Sequence, residues 1–147
     1  DKSGLAEAAQ AAEGYFAGGK IKLEWPPGRL EQSSPLQPGT GKVLLNLIIN
    51  AADAMKALPE TGRVMTISSA LEAGMIRLCV ADRGPGVPAE MMNQVFEPFW
   101  STKSAGMGMG LAVCRSIVTA HRGTLDVTNA PDGGAVFCAR LPARVPP

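Results

Sequence analysis

Two asparagines and an aspartate lie on one side of an otherwise apolar helix pattern. Asn46, Asn50 and Asp53 occur in NLIINAADAM with the spacing i, i+4, i+7, which puts them along one stripe of a helix. Polar side chains in such a helix are costly unless they are used. Carboxamide oxygens suit Mg²⁺, an ion that keeps most of its waters and takes phosphate oxygens. The pattern indicates a metal and phosphate site, and a polar stripe that faces water is the alternative.

A run of glycines precedes a second helix pattern. Gly106, Gly108 and Gly110 alternate with methionines, and Leu111 begins the apolar periodicity. Glycine loses more backbone entropy on folding than any other residue, so this density suggests that something approaches the backbone closely. The unpaired N–H groups and positive dipole end of a helix N-terminus suit an anion such as phosphate. A flexible loop capped by a helix is the alternative.

The glycine spacing excludes two common phosphate motifs. A dinucleotide fingerprint needs G-x-G-x-x-G, but the third glycine falls one residue early and Leu111 takes its place. PLQPGTGKV is similar to a P-loop, but Leu36 stands at the first glycine position and Val43 at the last position. A phosphate site here must use another arrangement.

Asp82, in CVADRGPGVP, is a third candidate. It follows a strand expected to be buried, and Gly84 and Gly86 let the chain turn away sharply. A carboxylate only accepts hydrogen bonds, so it can bind the exocyclic amine of adenine and would repel the carbonyl that guanine has at that place. An aspartate that only stabilises a turn is the alternative.

The periodicity predicts the elements that must position these residues. Helices are predicted over 1–16, 42–58, 89–94 and 109–121, and strands over 20–25, 64–70, 75–81, 124–128 and 135–141. The last three strands are expected to pair antiparallel. Because helices and strands do not alternate strictly, we expect an α+β fold. It is a two-layer α/β sandwich, with a mixed, mostly antiparallel sheet covered by helices on one face.

Composition narrows the classes of protein. The 147 residues, 46% of them hydrophobic, suggest one domain with a real core. A net charge of +1 argues against a nucleic-acid binder that works by bulk charge. No run of apolar residues is long enough to span a membrane, and the chain reads as a piece of a longer protein because it starts at Asp1. Cys79, Cys114 and Cys138 are predicted to be free buried thiols in a reducing compartment.

Four segments together resemble the catalytic ATP-binding domain of bacterial sensor histidine kinases. NLIINAADAM is similar to the N box of that family, DRGPG to its first glycine box, FEPFWSTK to its F box and GMGMGLAVCRSIV to its second glycine box. The segments follow the family's order and spacing. The resemblance covers nearly the whole chain and implies a single domain over 1–147, with the Bergerat (GHKL) ATP-binding fold and a mobile ATP lid over about 95–108.

The resemblance also implies roles for the matched residues. Asn50 would be the Mg²⁺ ligand, with Asn46 in the same phosphate and metal region, and Asp82 would bind the adenine amine. Asn46 and Lys103 are the candidate catalytic residues, Lys103 as a γ-phosphate contact. Phe96 and Phe99 would anchor the lid by packing. The nucleotide-binding set is Asn50, Asp53, Asp82, Gly84, Gly86, Gly106, Gly108, Gly110 and Leu111.

The implied function is binding of Mg²⁺ with ATP or ADP and transfer of the γ-phosphoryl group of ATP to a histidine. ATP-hydrolysing relatives in the wider superfamily carry a glutamate where this chain has Asn46, which cannot act as a general base. The single histidine, His121, is expected to end a helix rather than accept phosphate. The acceptor would therefore lie on a separate dimerisation domain of the parent protein, with a response regulator downstream.

The resemblance implies a cytoplasmic domain that contacts neither nucleic acid nor membrane, whether or not the parent protein has a membrane anchor. Two other functions stay open: a degenerate docking module without catalysis, and an anti-sigma-type serine kinase. The chain departs from the family at Arg122, where a glycine is usual, at Ala135, where a small hydroxyl residue is common, and in the proline-rich lead-in before Lys42.

Overall fold

The computed structural model describes residues 22–24, 39–97 and 110–142. The helix predicted over 1–16 lies outside these residues, as do positions 98–108 of the predicted lid. All five predicted strands fall within the described ranges, at least in part.

Five strands form one sheet in the order β1-β2-β3-β5-β4. Strand β1 runs parallel to β2, and the other neighbouring strands are antiparallel. The sheet is therefore mixed and mostly antiparallel, and the last three strands pair as predicted. The strands are β1 Lys22–Glu24, β2 Val64–Glu72, β3 Met75–Ala81, β4 Thr124–Asn129 and β5 Ala135–Pro142.

A two-residue turn joins β2 to β3. Ala73 and Gly74 both have positive φ, at 51° and 78°. Positive φ at both central residues is the mark of a type I′ turn, whose twist matches that of the flanking strands. This turn lets Glu72 pair with Met75 and sets the register of the hairpin.

Within the described ranges there are two α-helices, α1, Thr40–Ala54, and α2, Gly110–Ala120. Helix α1 ends before the predicted Leu58 because the chain there turns back toward β2. The guanidinium of Arg63 donates to the carbonyl oxygens of Leu58 and Lys56, each at 2.9 Å, and stabilises that turn. The helix predicted over 89–94 is shorter, a single 3-10 turn at Ala89–Met91.

The core lies between the helices and one face of the sheet. Leu44, Leu47 and Ile48 on α1 are almost completely buried, as are Ile67 and Leu78 on β2 and β3. Burying one such side chain contributes about 1.5–3 kcal/mol, so this layer is the main source of stability. Arg77, between buried neighbours on β3, is exposed on the opposite face. The two-layer arrangement with helices on one face is confirmed. Within the described ranges, no helix is both long and apolar enough to cross a membrane.

The prediction of three free thiols is wrong for two of the cysteines. Cys79 and Cys138 form a disulfide, whereas Cys114 is free and buried, as predicted. The two bonded residues are 59 positions apart, and only the pairing of β3 with β5 puts them directly opposite each other. That register cannot be predicted from the composition or from the spacing of the cysteines.

Candidate functional site

Asp82 is buried immediately beyond the end of β3. Only 3% of its surface is exposed. Its Oδ1 accepts hydrogen bonds from the backbone N–H groups of Gly84, at 2.8 Å, and Ala135, at 3.2 Å. Its own N–H donates to the carbonyl oxygen of Ala135 at 3.0 Å. Two backbone donors on one oxygen fix the orientation of the carboxylate, so Asp82 is a preset hydrogen-bond acceptor.

The loop after Asp82 is held by Asn129, the last residue of β4. The Asn129 side chain accepts from the Val87 N–H and donates to the Val87 carbonyl oxygen, both at 2.8 Å. Gly86, just before this clamp, has φ +79°, and a Cβ there would lie 2.7 Å from the Asn129 Oδ1. Glycine is therefore needed at Gly86 both for its backbone conformation and for the close approach of Asn129.

Gly84 packs against the C-terminal end of α1. A Cβ at Gly84 would lie 2.7 Å from the carbonyl oxygen of Ala54. The neighbouring Arg83 N–H donates to the Met55 sulfur at 3.4 Å. These contacts bring the Asp82 loop to the end of the helix that carries the polar stripe. Packing against α1 therefore requires glycine at Gly84, whether or not Gly84 also has its predicted role in the nucleotide site.

The other half of the polar stripe lies near the start of α2. A Cβ added to Gly110 would be 3.9 Å from the Asn46 Oδ1. The Cys114 thiol donates to the Val43 carbonyl oxygen at 3.5 Å and lies close enough to Asn46 for the two side chains to interact. The structure thus brings Asn46 to the helix N-terminus that follows the glycine run. At such an N-terminus, backbone N–H groups favour an anion.

The stripe itself is half-buried along its length. Asn46, Asn50 and Asp53 all have intermediate exposure. Asp53 lies nearer the Asp82 end, where its Oδ1 forms an ion pair with the Lys56 ammonium at 2.7 Å. From Asn46 to Asp53 the helix rises about 10 Å, so the stripe extends from the start of α2 toward the Asp82 loop.

The donor set fits Mg²⁺ held together with a phosphate. The described residues contain no group of three or more His, Cys, Asp or Glu that could form a cage for a metal ion. Mg²⁺ seldom uses such a cage, because it keeps several waters and takes oxygens from one or two side chains and from phosphates. The half-buried carboxamides of Asn46 and Asn50 offer such oxygens, and Asn46 lies beside the start of α2.

Other predicted site residues are placed differently. Leu111 is 8% exposed and belongs to the hydrophobic core, so its side chain packs inside, leaving its backbone to face any ligand. Phe96 contacts Phe137 edge-to-face, with ring centroids 6.1 Å apart, and its role as an anchor of the lid stays a prediction. Three predicted nucleotide residues and one predicted anchor lie outside the described ranges: Lys103, Gly106, Gly108 and Phe99.

His121 follows the last residue of α2. Its Nδ1 lies 2.9 Å from the carbonyl oxygen of Ile117, which requires the proton on Nδ1. The ring therefore caps the helix end, in agreement with the predicted role.

Two open pockets, of about 490 and 340 Å³, lie beside Phe96 and Arg115. The residues that line them include none of the predicted nucleotide-binding residues. Arg115 is half-exposed at their rim and forms a 3.7 Å ion pair with Glu97. These pockets are separate from the Asp82 site.

Sequence reasoning missed two contributors to the Asp82 site, the Asn129 side chain and the backbone N–H of Ala135, although position 135 is a noted departure from the family near the adenine region. Asn129 and Ala135 flank the turn sequence NAPDGG, which predicts a hairpin and nothing more. An asparagine beside a turn normally forms hydrogen bonds within its own loop. No local sequence feature therefore predicts that Asn129 bonds to Val87, 42 positions away. The Ala135 N–H is a backbone group, and side-chain identity does not reveal where it points.

Comparison with known proteins shows which family the chain belongs to. Residues 36–145 match the family of histidine kinase-, DNA gyrase B- and HSP90-like ATPases. The chain is 46% identical over 101 residues to the C4-dicarboxylate transport sensor protein DctS of Rhodobacter capsulatus, covering 69% of this chain and 15% of that protein. It is 39% identical over 124 residues to the sensor histidine kinase ZraS of Klebsiella oxytoca, covering 82% and 23%. The chain thus spans less than a quarter of the length of these relatives.

Solved structures share the fold. The catalytic domain of histidine kinase ThkA superposes with a TM-score of 0.77 at 28% identity, over 94% of this chain and 89% of that one. Full-length ShkA in complex with AMPPNP gives a TM-score of 0.74 at 25% identity, over 99% of this chain and 31% of that one. The family match and these likenesses cover most of the chain. The chain belongs to the histidine kinase-, DNA gyrase B- and HSP90-like ATPase family, and its homologues are sensor histidine kinases.

Proposed function

We propose that this chain binds ATP with Mg²⁺ and donates the γ-phosphoryl group to a histidine on a separate dimerisation domain of its parent protein. The observation that carries the proposal is the buried Asp82 carboxylate, oriented by the Gly84 and Ala135 N–H groups at the end of β3. Burying a carboxylate in one fixed orientation costs free energy unless a ligand binds to it.

Asp82 selects adenine in this proposal. The adenine amine donates a hydrogen bond to the carboxylate, whereas guanine presents a carbonyl oxygen at the same place. Gly86, held by the Asn129 clamp on Val87, keeps the loop backbone beside the base. Charge-assisted hydrogen bonds of this kind contribute about 1.5–3 kcal/mol, enough for a strong preference between the two bases.

The phosphates lie toward the other end of α1. Backbone N–H groups at the start of α2, from Gly110 and Leu111, offer donors to an anion. Asn50, with Asn46 beside it, would hold Mg²⁺, which neutralises phosphate charge during transfer. In the proposed site Gly106 and Gly108 wrap the phosphates and Lys103 contacts the γ-phosphate.

Transfer rather than hydrolysis follows from the residue at position 46. An asparagine side chain cannot take a proton from water, so Asn46 does not activate water as a nucleophile. His121 caps α2 through Ile117 and is not offered as an acceptor. The phosphoryl group would therefore pass to an imidazole of the dimerisation domain and then to a response regulator, in a cytoplasmic signalling pathway.

Calorimetric titration with Mg²⁺-ADP, Mg²⁺-ATP and Mg²⁺-GTP tests the binding half. We expect adenine nucleotides to bind and GTP to bind at least about 10-fold more weakly. Asp82→Asn keeps Oδ1 as the acceptor for the two backbone donors but replaces the other carboxylate oxygen by an amide donor. This variant should bind ADP about 10- to 100-fold more weakly. Asp126→Asn, an exposed residue of β4, makes the same charge change away from the site and should leave ADP affinity within about two-fold.

A mixing experiment tests the transfer half. The chain, the separately produced dimerisation domain and γ-labelled ATP should give label on that domain that is stable in alkali and labile in acid, the behaviour of phosphohistidine. Nucleotide binding without any transfer would instead support a docking module. Label on a serine of another protein would support the serine kinase alternative.

A further inference from the structure

The disulfide lies on the sheet face that the described helices leave uncovered. Cys79 and Cys138 alternate along β3 and β5 with residues buried under α1, so both point to the opposite face. On that face Ser68 is the cross-strand neighbour of Cys79, and Asp126 is that of Cys138. Ser68 is half-buried and Asp126 is exposed. The cysteines are themselves buried, between these neighbours on the face opposite the helices.

Two observations suit this pair to reversible exchange. Cys79 and Cys138 retain 7% and 9% exposure, so a small molecule has more access to them than a protein has. The Arg77 guanidinium lies 3.9 Å from the Cys138 sulfur. Arg140 is the direct cross-strand partner of Arg77, and its own ion pair is with Glu72. A nearby guanidinium favours the thiolate, which is the attacking form in thiol–disulfide exchange.

The pair is also tied to the candidate nucleotide site. Cys79 precedes Asp82 by three residues, and Cys138 follows Ala135 by three residues. Beyond the cysteines the ladder continues through Val80 with Phe137 and Ala81 with Val136. It ends at Asp82, whose N–H and carboxylate both bond to the Ala135 backbone. The disulfide therefore links β3 to β5 about 10 Å from the Asp82 carboxylate.

We propose that Cys79 and Cys138 form a thiol–disulfide exchange site for low-molecular-weight disulfides, and that its oxidation tightens nucleotide binding at Asp82. The second half of this inference rests on the proposed function. When the bond closes, β3 and β5 are held in register and the Ala135 N–H stays directed at Asp82. When it opens, the covalent link is lost, and the ends of the two strands are held by the ladder hydrogen bonds and by core packing alone.

The exchange balances in two steps. The Cys138 thiolate attacks one sulfur of a small disulfide RSSR, forming a Cys138–SR bond and releasing RS⁻. Cys79, having lost its proton to solvent, attacks the Cys138 sulfur, and the S–SR bond breaks to release the second RS⁻. Two protein thiols are oxidised by two electrons, and one small disulfide is reduced to two small thiols. Reduction by excess small thiol reverses both steps.

The test combines a thiol count with a binding measurement. The chain is equilibrated in buffers of stepped ratios of reduced to oxidised glutathione, acid-trapped, and counted for free thiols by mass spectrometry. We expect the count to move between three thiols and one, with Cys114 as the thiol that never changes. The oxidised form should melt about 5–15 °C higher than the reduced form. Its ADP dissociation constant should be about five-fold lower.

Matched variants separate the possible failures. The double variant Cys79→Ser, Cys138→Ser should bind ADP like the reduced chain in every buffer, and Cys114→Ala should keep the full redox response. A count that stays at three thiols in oxidised glutathione, or a mixed disulfide that never resolves, overturns the exchange site. Oxidation without any change in ADP affinity overturns the coupling. If ADP binds neither form, the proposed function fails, while the thiol count still decides the exchange site.

Discussion

At the scale of single residues, the loop after Asp82 depends on one backbone N–H group and one side chain that are far away in the sequence. Asp82 takes its donors from Gly84 and Ala135, and Val87 is clamped by Asn129. None of these contacts lies within a helix. The site is therefore as rigid as the packing of two chain segments that meet only in the folded state.

Asn129→Ala removes both hydrogen bonds of the clamp. We expect a loss of about 1–2 kcal/mol in the free energy of unfolding, because the Val87 backbone groups lose their partner in a half-buried place. ADP affinity should also fall several-fold, since Gly86 is no longer held. Calorimetry and urea unfolding measure the two effects. Thr128→Ala, at the exposed neighbouring position, is the control. An unchanged ADP affinity would limit Asn129 to a structural role.

The Cys114 thiol gives a second prediction at this scale. Burial raises its pKa from 9.0 to about 12, although a hydrogen bond with Asn46 works in the other direction. The unfolded chain loses this proton near pH 9 while the folded chain keeps it, so stability should fall as pH rises from about 9 toward about 12. Melting temperatures between pH 8 and pH 10.5 should fall less steeply in Cys114→Ala. Equal slopes in the two proteins would contradict this prediction.

At the scale of elements, the two described α-helices end in structurally different ways. Helix α1 leads into a turn whose carbonyls bind Arg63, and α2 leads into Arg122, which has φ +61°. At the end of α1, charged hydrogen bonds from Arg63 stabilise the turn. At the end of α2, Arg122 has a left-handed backbone conformation, which costs energy for a residue with a Cβ.

Arg63→Ala should cost about 1–2 kcal/mol, because the carbonyls of Leu58 and Lys56 lose a charged donor. Arg63→Lys should recover less than half of this, since one ammonium cannot reproduce the planar fork of a guanidinium. Urea unfolding gives both values. Arg115→Ala removes an arginine whose ion pair with Glu97 is more than half exposed, and its cost should stay below about 1 kcal/mol. Similar losses at Arg63 and Arg115 would argue against the helix-end role.

Arg122→Gly should stabilise the protein by about 0.5–1 kcal/mol. Glycine adopts positive φ without the steric cost of a Cβ, and this gain exceeds the entropy that it adds to the unfolded chain. The midpoint of urea unfolding should rise. Arg122→Ala, which keeps the Cβ, is the matched control and should not raise it. A lower midpoint for Arg122→Gly would show that the arginine side chain makes a compensating contact.

At the scale of the whole molecule, one sheet carries two different surfaces. One face packs against both helices and forms the core, and the other carries the disulfide and the Arg77–Arg140 pair. The candidate nucleotide site lies where α1, the start of α2 and the end of the β3–β5 pair meet. Any change that alters the register of β3 and β5 therefore acts on the disulfide and on Asp82 together.

Much of this architecture could be predicted because it is local. The burial of Ile76, Leu78 and Val80 follows from alternation along a strand, and α1 follows from an apolar stripe of helical period. Asp82 could be singled out because it is a carboxylate that directly follows an apolar strand and precedes a glycine-rich turn. The family resemblance rested on such local segments, and the match over 36–145 confirms it.

What the tertiary structure decided is which distant groups meet. The Cys79–Cys138 bond, the Asn129 clamp and the orientation of the Ala135 N–H all depend on pairing between segments more than 40 residues apart. A sequence encodes periodicity and turn chemistry through neighbours a few residues away. Register between distant strands depends instead on how the buried faces of all the elements fit at once, so the partners of Asp82 and the state of the cysteines became known only in the folded chain.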